Sequence, residues 1–243
     1  MANPTAAMLV IGDEILSGRT RDSNMHHLAG RLTEAGINLT EVRMVADDRM
    51  AIVEGVRALA RKHDHIFTSG GIGPTHDDIT ADCVAEAMGA SIDVRPDARA
   101  ILQAHYDQQG IEMNEARLRM ARVPEGATLI KNPISAAPGF TIGNVHVLAG
   151  IPAIFEAMVA SILPTISGGD PVLSESIRID RAEGDIAARL NELAEAFAHL
   201  SFGSYPFRRN GEYGANVVIR GTDPQQVNHA AAQLRAAFGD DAS

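Results

Sequence analysis

Two adjacent carboxylates follow a glycine-rich stretch in the first third of this chain, and they point most directly to chemistry. Residues 70–80 read GGIGPTHDDIT, between an apolar pair at 66–67 and a helical pattern over 81–88. Glycines let successive backbone N–H groups point at one ligand, and a helix that begins beside them favours an anion. Asp77 and Asp78 would repel a phosphate unless a divalent cation lay between. The segment therefore predicts a Mg²⁺-bridged phosphate or pyrophosphate; the alternative is a tight turn that caps the next helix.

Three predicted strands bring further candidates to one edge of a sheet. Apolar or alternating runs over residues 7–12, 38–45 and 66–69 are typical of strands, and helical patterns separate them. This order predicts a three-layer α/β fold with a mostly parallel sheet and helices on both faces. Ligands bind at the carboxyl ends of strands in such folds. Asp13 and Asp47 each follow a strand, so we expect them near the glycine-rich segment.

The middle of the chain predicts more helix and a hairpin. Residues 97–122 read as helical with a break at Gly110, and residues 128–130 are strand-like. A proline-containing loop follows, which a helix does not tolerate. A Gly-Asn pair between apolar runs predicts a hairpin over residues 141–148.

A second, smaller domain is predicted after the sequence SGGDP at residues 167–171. We place one domain at residues 1–168 and another at residues 172–243. The second shows the order strand, helix, strand, strand, helix, which predicts a small α+β domain with its helices on one face.

Composition narrows the classes of function. The chain has 243 residues, 45% of them apolar, with a formal net charge of −10 and a pI of about 5.3. An acidic chain is not expected to bind the backbone of a nucleic acid, and no apolar run approaches the length of a membrane span. The single cysteine, Cys83, forms no intramolecular disulfide and is expected to be a small buried hydrophobe. We expect a cytoplasmic protein whose ligands are small molecules.

Three motifs in order resemble the molybdopterin-binding fold of the MogA/MoaB-like family. They are GDEILSG at residues 12–18, GGIGPTHDDIT at 70–80 and NPISAAPGF at 132–140. The branch they resemble is the N-terminal half of competence/damage-inducible protein A (CinA). The sequence GSYPF at 203–207 is similar to the small KH-like second domain of that branch. The resemblance implies a three-layer α/β/α domain followed by a KH-like domain.

The resemblance implies two activities, between which the residues do not decide. CinA-like relatives and the related domain of eukaryotic FAD synthases resemble divalent-metal-dependent pyrophosphatases that release AMP from ADP-ribose or FAD. Molybdopterin adenylyltransferases instead move AMP from ATP to the pterin dithiolene phosphate. The expected metal is Mg²⁺, Mn²⁺ or Co²⁺, and the expected ligand is a nucleotide or molybdopterin. A catalytically silent nucleotide- or pterin-binding module is a third possibility, and the branch favours a homodimer over a trimer.

The candidate residues divide into aspartates with catalytic roles and residues that bind the ligand. Asp77 and Asp78 are the predicted metal ligands. Asp47 resembles a functional aspartate of the fold and is the predicted general base or a second metal ligand, with helix capping as its alternative. The predicted phosphate- or nucleotide-binding residues supply backbone donors, polar side chains or a close backbone wall; they are Gly12, Asp13, Asn24, Gly70, Gly71, Gly73, Thr75, Ser135, Ala136, Pro138 and Gly139.

Overall fold

The apolar run near the N-terminus forms β1 (Thr5–Ile11), whose last six residues are buried. Successive apolar side chains without polar alternation suit a strand that is covered on both faces. In the computed structural model, which describes residues 3–209 and 211–242, β1 pairs in parallel with β2 (Asn38–Val45) and with β3 (His65–Ser69). The order of chain connections therefore reverses between β1 and β3.

Three further strands extend this sheet beyond β3. β8 (Val145–Leu148) pairs in parallel with β3, β7 (Gly139–Ile142) is antiparallel to β8, and β6 (Thr128–Ile130) is antiparallel to β7. The six strands lie in the order β2-β1-β3-β8-β7-β6. The predicted hairpin is confirmed, and Gly143 takes the positive φ of 58° in its turn.

Helices cover both faces of the sheet. On one face α3 (Arg49–Ala60), α4 (Thr80–Met88) and α5 (Pro96–Gln109) share one core cluster with residues of β1. On the other face α2 (Asn24–Glu34) and α7 (Pro152–Ile162) share a second cluster. The predicted three-layer α/β fold is confirmed.

The prediction of broken helix over residues 97–122 is wrong at its C-terminal end. α5 ends at Gly110, which has a left-handed φ of 65°. A short α6 (Glu115–Arg119) follows, and then β5 (Arg122–Pro124) pairs antiparallel with β4 (Ile92–Val94). Strands of three residues are too short to show an alternating pattern, so this pair has no local signal in the sequence.

The chain divides into two compact units, Met1–Gly169 and Asp170–Ser243. The first unit holds the six-stranded sheet. Among residues 3–209 and 211–242, no helix is long and apolar enough to cross a bilayer.

The second unit has the predicted order of elements. They are β9 (Leu173–Ile179), α8 (Glu183–Ala196), β10 (Ser201–Arg209), β11 (Glu212–Gly221) and α9 (Pro224–Phe238). The strands form an antiparallel sheet in the order β10-β11-β9. A cluster of apolar side chains from this sheet packs against both helices, which confirms a small α+β unit.

Candidate functional site

A cavity of about 550 Å³ lies at the carboxyl ends of β1, β3 and β8. This is the edge at which folds of this class bind ligands, and the volume is typical of small-molecule sites. Eight predicted residues line the cavity: Gly12, Asp47, Gly70, Gly71, Gly73, Asp77, Asp78 and Ser135.

Glycines form the floor of the cavity because three loops meet there with no room for side chains. A Cβ on Gly70, at φ 106°, would lie 2.2 Å from the carbonyl oxygen of Ile11, and one on Gly150 would lie 3.1 Å from the Cα of Gly70. Gly71 has φ 69°, and its Cβ would lie 2.2 Å from Thr80 Oγ1. The floor thus presents backbone atoms, which lets phosphate oxygens approach closely.

Two helices begin beside this floor. α4 starts directly after the glycine-rich turn, and α7 starts at the cavity wall with Ile151 and Pro152. Within the described residues, neither helix has a side-chain cap on its first N–H groups. The positive end of each helix dipole therefore favours a negatively charged ligand.

Asp77 and Asp78 both line the cavity, but their carboxylates have different surroundings. Asp78 Oδ2 accepts from the backbone N–H of Thr75 at 2.8 Å and from its hydroxyl at 2.5 Å. One oxygen of Asp78 therefore holds the turn together. The side chain of Asp77 is 62% exposed. Asp77 is thus the freer ligand for a cation, and Thr75 is engaged by the turn and does not line the cavity.

Asp47 is half-buried among other carboxylates. Its Oδ2 accepts from the backbone N–H of Asp13 at 2.9 Å, at the start of the short α1 (Asp13–Leu16). Burial raises the pKa of Asp47, and the charges of Asp13, Glu14 and Asp77 raise it further against the opposing effect of that hydrogen bond. Asp47 is therefore a better proton acceptor than an ordinary aspartate.

The capping alternative for Asp47 is resolved by its neighbour. Asp48 Oδ1 accepts from the backbone N–H of Ala51 at 2.8 Å and so caps α3. Asp47 is left facing the cavity.

Glu14, which with Asp13 follows β1 and could by its position hold a metal or a ribose, also lines the cavity. A Cβ on Gly12 would lie 2.7 Å from both carboxylate oxygens of Glu14. Gly12 thus makes room for this side chain to fold back, whereas Asp13 contributes its backbone N–H to Asp47 and does not line the cavity.

Asn24 lies behind the cavity wall. Its Nδ2 donates to Ser69 Oγ and to the carbonyl oxygen of Gly150, each at 2.8 Å, and the residue is 4% exposed. Asn24 therefore ties the end of β3 to the loop before α7. It positions the floor and does not line the cavity, contrary to the predicted ligand contact.

Asn132, which the sequence reasoning did not single out for a role, organises the loop that contributes Ser135. Its Oδ1 accepts from the backbone N–H groups of Ile134 and Ser135, and its Nδ2 donates to Ser135 Oγ and to the carbonyl oxygen of Ala137. These bonds hold Ala136 at φ 61°, a conformation uncommon outside glycine. The Asn-Pro pair is a signal for such a turn.

The remaining predicted wall residues do not line the cavity. Ala136 bends the loop, and Pro138 lines a narrow neighbouring cavity. A Cβ on Gly139 would lie 2.2 Å from the carbonyl oxygen of Val147, so packing within the sheet requires this glycine. The apolar part of the wall comes instead from Ile72, Met120, Ile151 and Ile154.

The carboxylates fit a hard cation that a ligand helps to bind. Within the described chain, no three His, Cys, Asp or Glu side chains form a complete metal site. Asp47, Asp77 and Glu14 line one cavity, and the charges of Glu14 and Asp77 raise the pKa of Asp47, a repulsion that a divalent cation would relieve. Mg²⁺ commonly takes one or two carboxylates and completes its shell with water and substrate phosphates.

Comparison with known families decides the identity of the first unit. A family model described as a probable molybdopterin binding domain matches residues 7–168. The chain belongs to this molybdopterin-binding-domain family. In this family member, residues 171–243 match a second model, described as the middle domain of FAD synthase.

Two archaeal relatives of this molybdopterin-binding-domain protein align with it over most of both chains. It is 30% identical to a protein of Archaeoglobus fulgidus, over 96% of this chain and 97% of the other. It is 34% identical to Protein PH0439 of Pyrococcus horikoshii, over 79% and 80% of the two chains. It is also 30% identical to a probable FAD synthase of Caenorhabditis elegans, but it spans only 49% of that protein.

Among solved structures, the protein CinA of unknown function from Thermoplasma acidophilum is similar. The TM-score is 0.61 at 31% identity, covering 66% of this chain and 98% of the other. The resemblance to the CinA-like branch of the molybdopterin-binding-domain family is confirmed.

Proposed function

We propose that this chain hydrolyses the pyrophosphate bond of an ADP-containing nucleotide, ADP-ribose or FAD, and releases AMP. One observation carries the proposal. A single cavity joins a glycine floor, which suits phosphate oxygens, to Asp47, Asp77 and Glu14, which suit a divalent cation. Similarity to FAD synthase over the second unit and to a probable FAD synthase over most of the chain supports an adenine-containing substrate.

Asp77, with the remaining oxygen of Asp78, would hold Mg²⁺, Mn²⁺ or Co²⁺. The bound cation would act as a Lewis acid that neutralises charge on the phosphoryl oxygens. The backbone of Gly70, Gly71 and Gly73 and the start of α7 bind and orient the pyrophosphate.

Asp47 accepts the proton of the attacking water. The water oxygen forms a new bond to the phosphorus of the AMP half, and the bond from that phosphorus to the bridging oxygen breaks. With ADP-ribose the products are AMP and ribose 5-phosphate. The raised pKa of Asp47 suits this role, because a general base works best when its pKa approaches the working pH.

The apolar wall gives the adenine a place to pack. Ile72, Met120 and Ile151 lie on the cavity with the glycine floor, and 550 Å³ accommodates a nucleotide-sized ligand. Ser135 adds a hydroxyl at the same wall.

The test is AMP release from ADP-ribose, FAD and ATP with Mg²⁺, Mn²⁺ or Co²⁺. Asp77→Ala should lose metal-dependent release. His76→Ala is the matched control, because the side chain of His76 is 98% exposed beside Asp77 and should be dispensable. A folded wild-type protein that releases no AMP from any of them would refute the proposal.

A second candidate function is molybdopterin binding with adenylyl transfer, favoured by the family match over residues 7–168. Both reactions handle a phosphoanhydride beside an adenosine. ATP-dependent adenylylation of molybdopterin, without hydrolysis of ADP-ribose or FAD, would favour this candidate. Binding that survives loss of both Asp77 and Asp78, without turnover, would instead indicate a non-catalytic module.

A further inference from the structure

The sheet of the second unit has one face packed against helices and one open face. Ala215, Val217 and Ile219 of β11 point to the helices and are fully buried. Because side chains alternate along a strand, Asn216 and Val218 belong to the opposite face. The pairing register places these strand positions on that open face: Ser174, Ser176, Arg178, Ser201, Gly203, Tyr205, Phe207, Arg209, Gly214, Asn216, Val218 and Arg220.

Two aromatic rings pack against the backbone of this open face, because glycines leave space for them. A Cβ on Gly214 would lie 2.3 Å from Phe207 Cζ, directly across the strand pair. A Cβ on Gly203 would lie 3.0 Å from Tyr205 Cε2. The two glycines therefore let the rings spread over the backbone, and Tyr205 remains 49% exposed.

Arginines accompany the rings. The Arg178 guanidinium lies 4.8 Å from the centroid of the Phe207 ring while it also pairs with Asp180. Arg209 and Arg220 are exposed toward opposite ends of the face. Three arginines thus belong to the open face, and one of them, Arg178, is paired with Asp180.

We propose that this open face binds a short single-stranded oligonucleotide, a binding site separate from the cavity of the first unit. Tyr205 and the Phe207–Arg178 stack stand two residues apart on one strand, about 7 Å, so each can receive one base. Arg209 of β10 and Arg220 of β11, which lies opposite Ser201, are roughly 25 Å apart in the strand direction and contact the phosphates. Ser176 and Asn216 offer hydrogen bonds to base edges.

The expectation that this chain binds no nucleic acid rested on the acidic balance of the whole chain and of its second domain, whereas Arg209 and Arg220 place two exposed cations on this one face. On the β10 side of the sheet, the open face is better suited to bind a ligand than the edge of β10. Pro206 lacks a backbone N–H in the middle of this edge strand, which disfavours the addition of another strand.

The test is fluorescence anisotropy with labelled oligo(dT) of about eight nucleotides, within the range of known single-strand sites. Tyr205→Ala should weaken binding roughly tenfold through the loss of one stacking contact. Tyr213→Ala is the matched control, because Tyr213 is 60% exposed in the same hairpin but pairs with Arg208 at the opposite parity. Arg220→Gln should reduce the salt dependence by about one phosphate contact.

Several results would overturn the proposal once circular dichroism shows that each variant is folded. They are no binding of oligo(dT) to the wild-type chain at low ionic strength, and an equal loss of binding in Tyr205→Ala and Tyr213→Ala. Self-association that depends on Tyr205, without oligonucleotide binding, would make the open face an interface between copies. Neither Tyr205 nor Tyr213 lines the cavity of the first unit, so both variants should release AMP at the wild-type rate whether or not the oligonucleotide binds.

Discussion

Replacing Asp47 by asparagine should lower activity by orders of magnitude and stabilise the fold. Asparagine is nearly isosteric, and its Oδ1 can still accept from the N–H of Asp13. The change removes one negative charge from a position where Asp13, Glu14 and Asp77 all raise the carboxyl pKa. Relief of such partly exposed like-charge contacts is worth about 0.5 kcal/mol, or 1–2 °C in Tm for a chain of this length. Loss of a general base costs about 10²–10⁴ in kcat.

The stabilisation has a definite pH dependence. Because folding raises the pKa of Asp47, the native state keeps its proton where the unfolded chain has lost it. This effect lowers the stability of the wild type as pH rises through that interval. The gain from Asp47→Asn should therefore be present at neutral pH, shrink as the pH falls through about 4, and vanish below about pH 3, where unfolded aspartates are largely protonated.

The adjacent aspartate is the control. Asp48→Ala removes the N-cap of α3 and should cost about 1 kcal/mol while leaving AMP release near the wild-type rate. Urea denaturation followed by circular dichroism gives the free energies of unfolding, and the AMP assay gives the rates. The reasoning is refuted if Asp47→Asn retains activity, or if it destabilises the protein at neutral pH as Asp48→Ala does.

Two further substitutions and one labelling experiment test the placement of residues in the first unit. Gly71→Ala should lower the free energy of unfolding by about 2–4 kcal/mol, because the residue has a positive φ and its new Cβ would lie 2.2 Å from Thr80 Oγ1. Gly18→Ala is the control, because Gly18 has a similar φ of 73° but no atom near the new Cβ, and it should cost only about 1 kcal/mol. Urea denaturation compares the two variants. Asn24→Ala should cost about 1–3 kcal/mol and raise KM for the nucleotide, because the end of β3 and Gly150 lose their link. Cys83, fully buried with its pKa raised to about 11, should react with a disulfide reagent only after unfolding; rapid reaction of the native protein would contradict its placement.

The parts of this fold that repeat a local pattern could be predicted from the sequence. Continuous apolar runs, helix periodicity and the Gly-Asn turn each act within a few residues, so β1, the hairpin of β7 and β8, and α9 were found. The β4–β5 pair was missed because two three-residue strands, whose paired residues are 28 to 32 positions apart, pair only in the folded chain.

The location of the candidate site could be predicted more readily than the contacts of its side chains. Asp47 and Asp48 are equivalent in a sequence that ends a strand and starts a helix. They differ only because Asp48 accepts a hydrogen bond from the N–H of Ala51, whereas Asp47 accepts one from the N–H of Asp13, 34 residues earlier in the chain. Asn24 illustrates the same limit, because its partners Ser69 and Gly150 are brought to it by the sheet.

The central claim is that the carboxylates and the pyrophosphate bind the cation together. Electron paramagnetic resonance of Mn²⁺, titrated with and without a methylene analogue of ADP-ribose that resists hydrolysis, measures this most directly. We expect the analogue to tighten Mn²⁺ binding by at least about tenfold in the wild type, and Asp77→Ala to lose that gain. Equal Mn²⁺ binding with and without the analogue, or a gain that survives in Asp77→Ala, would contradict the account.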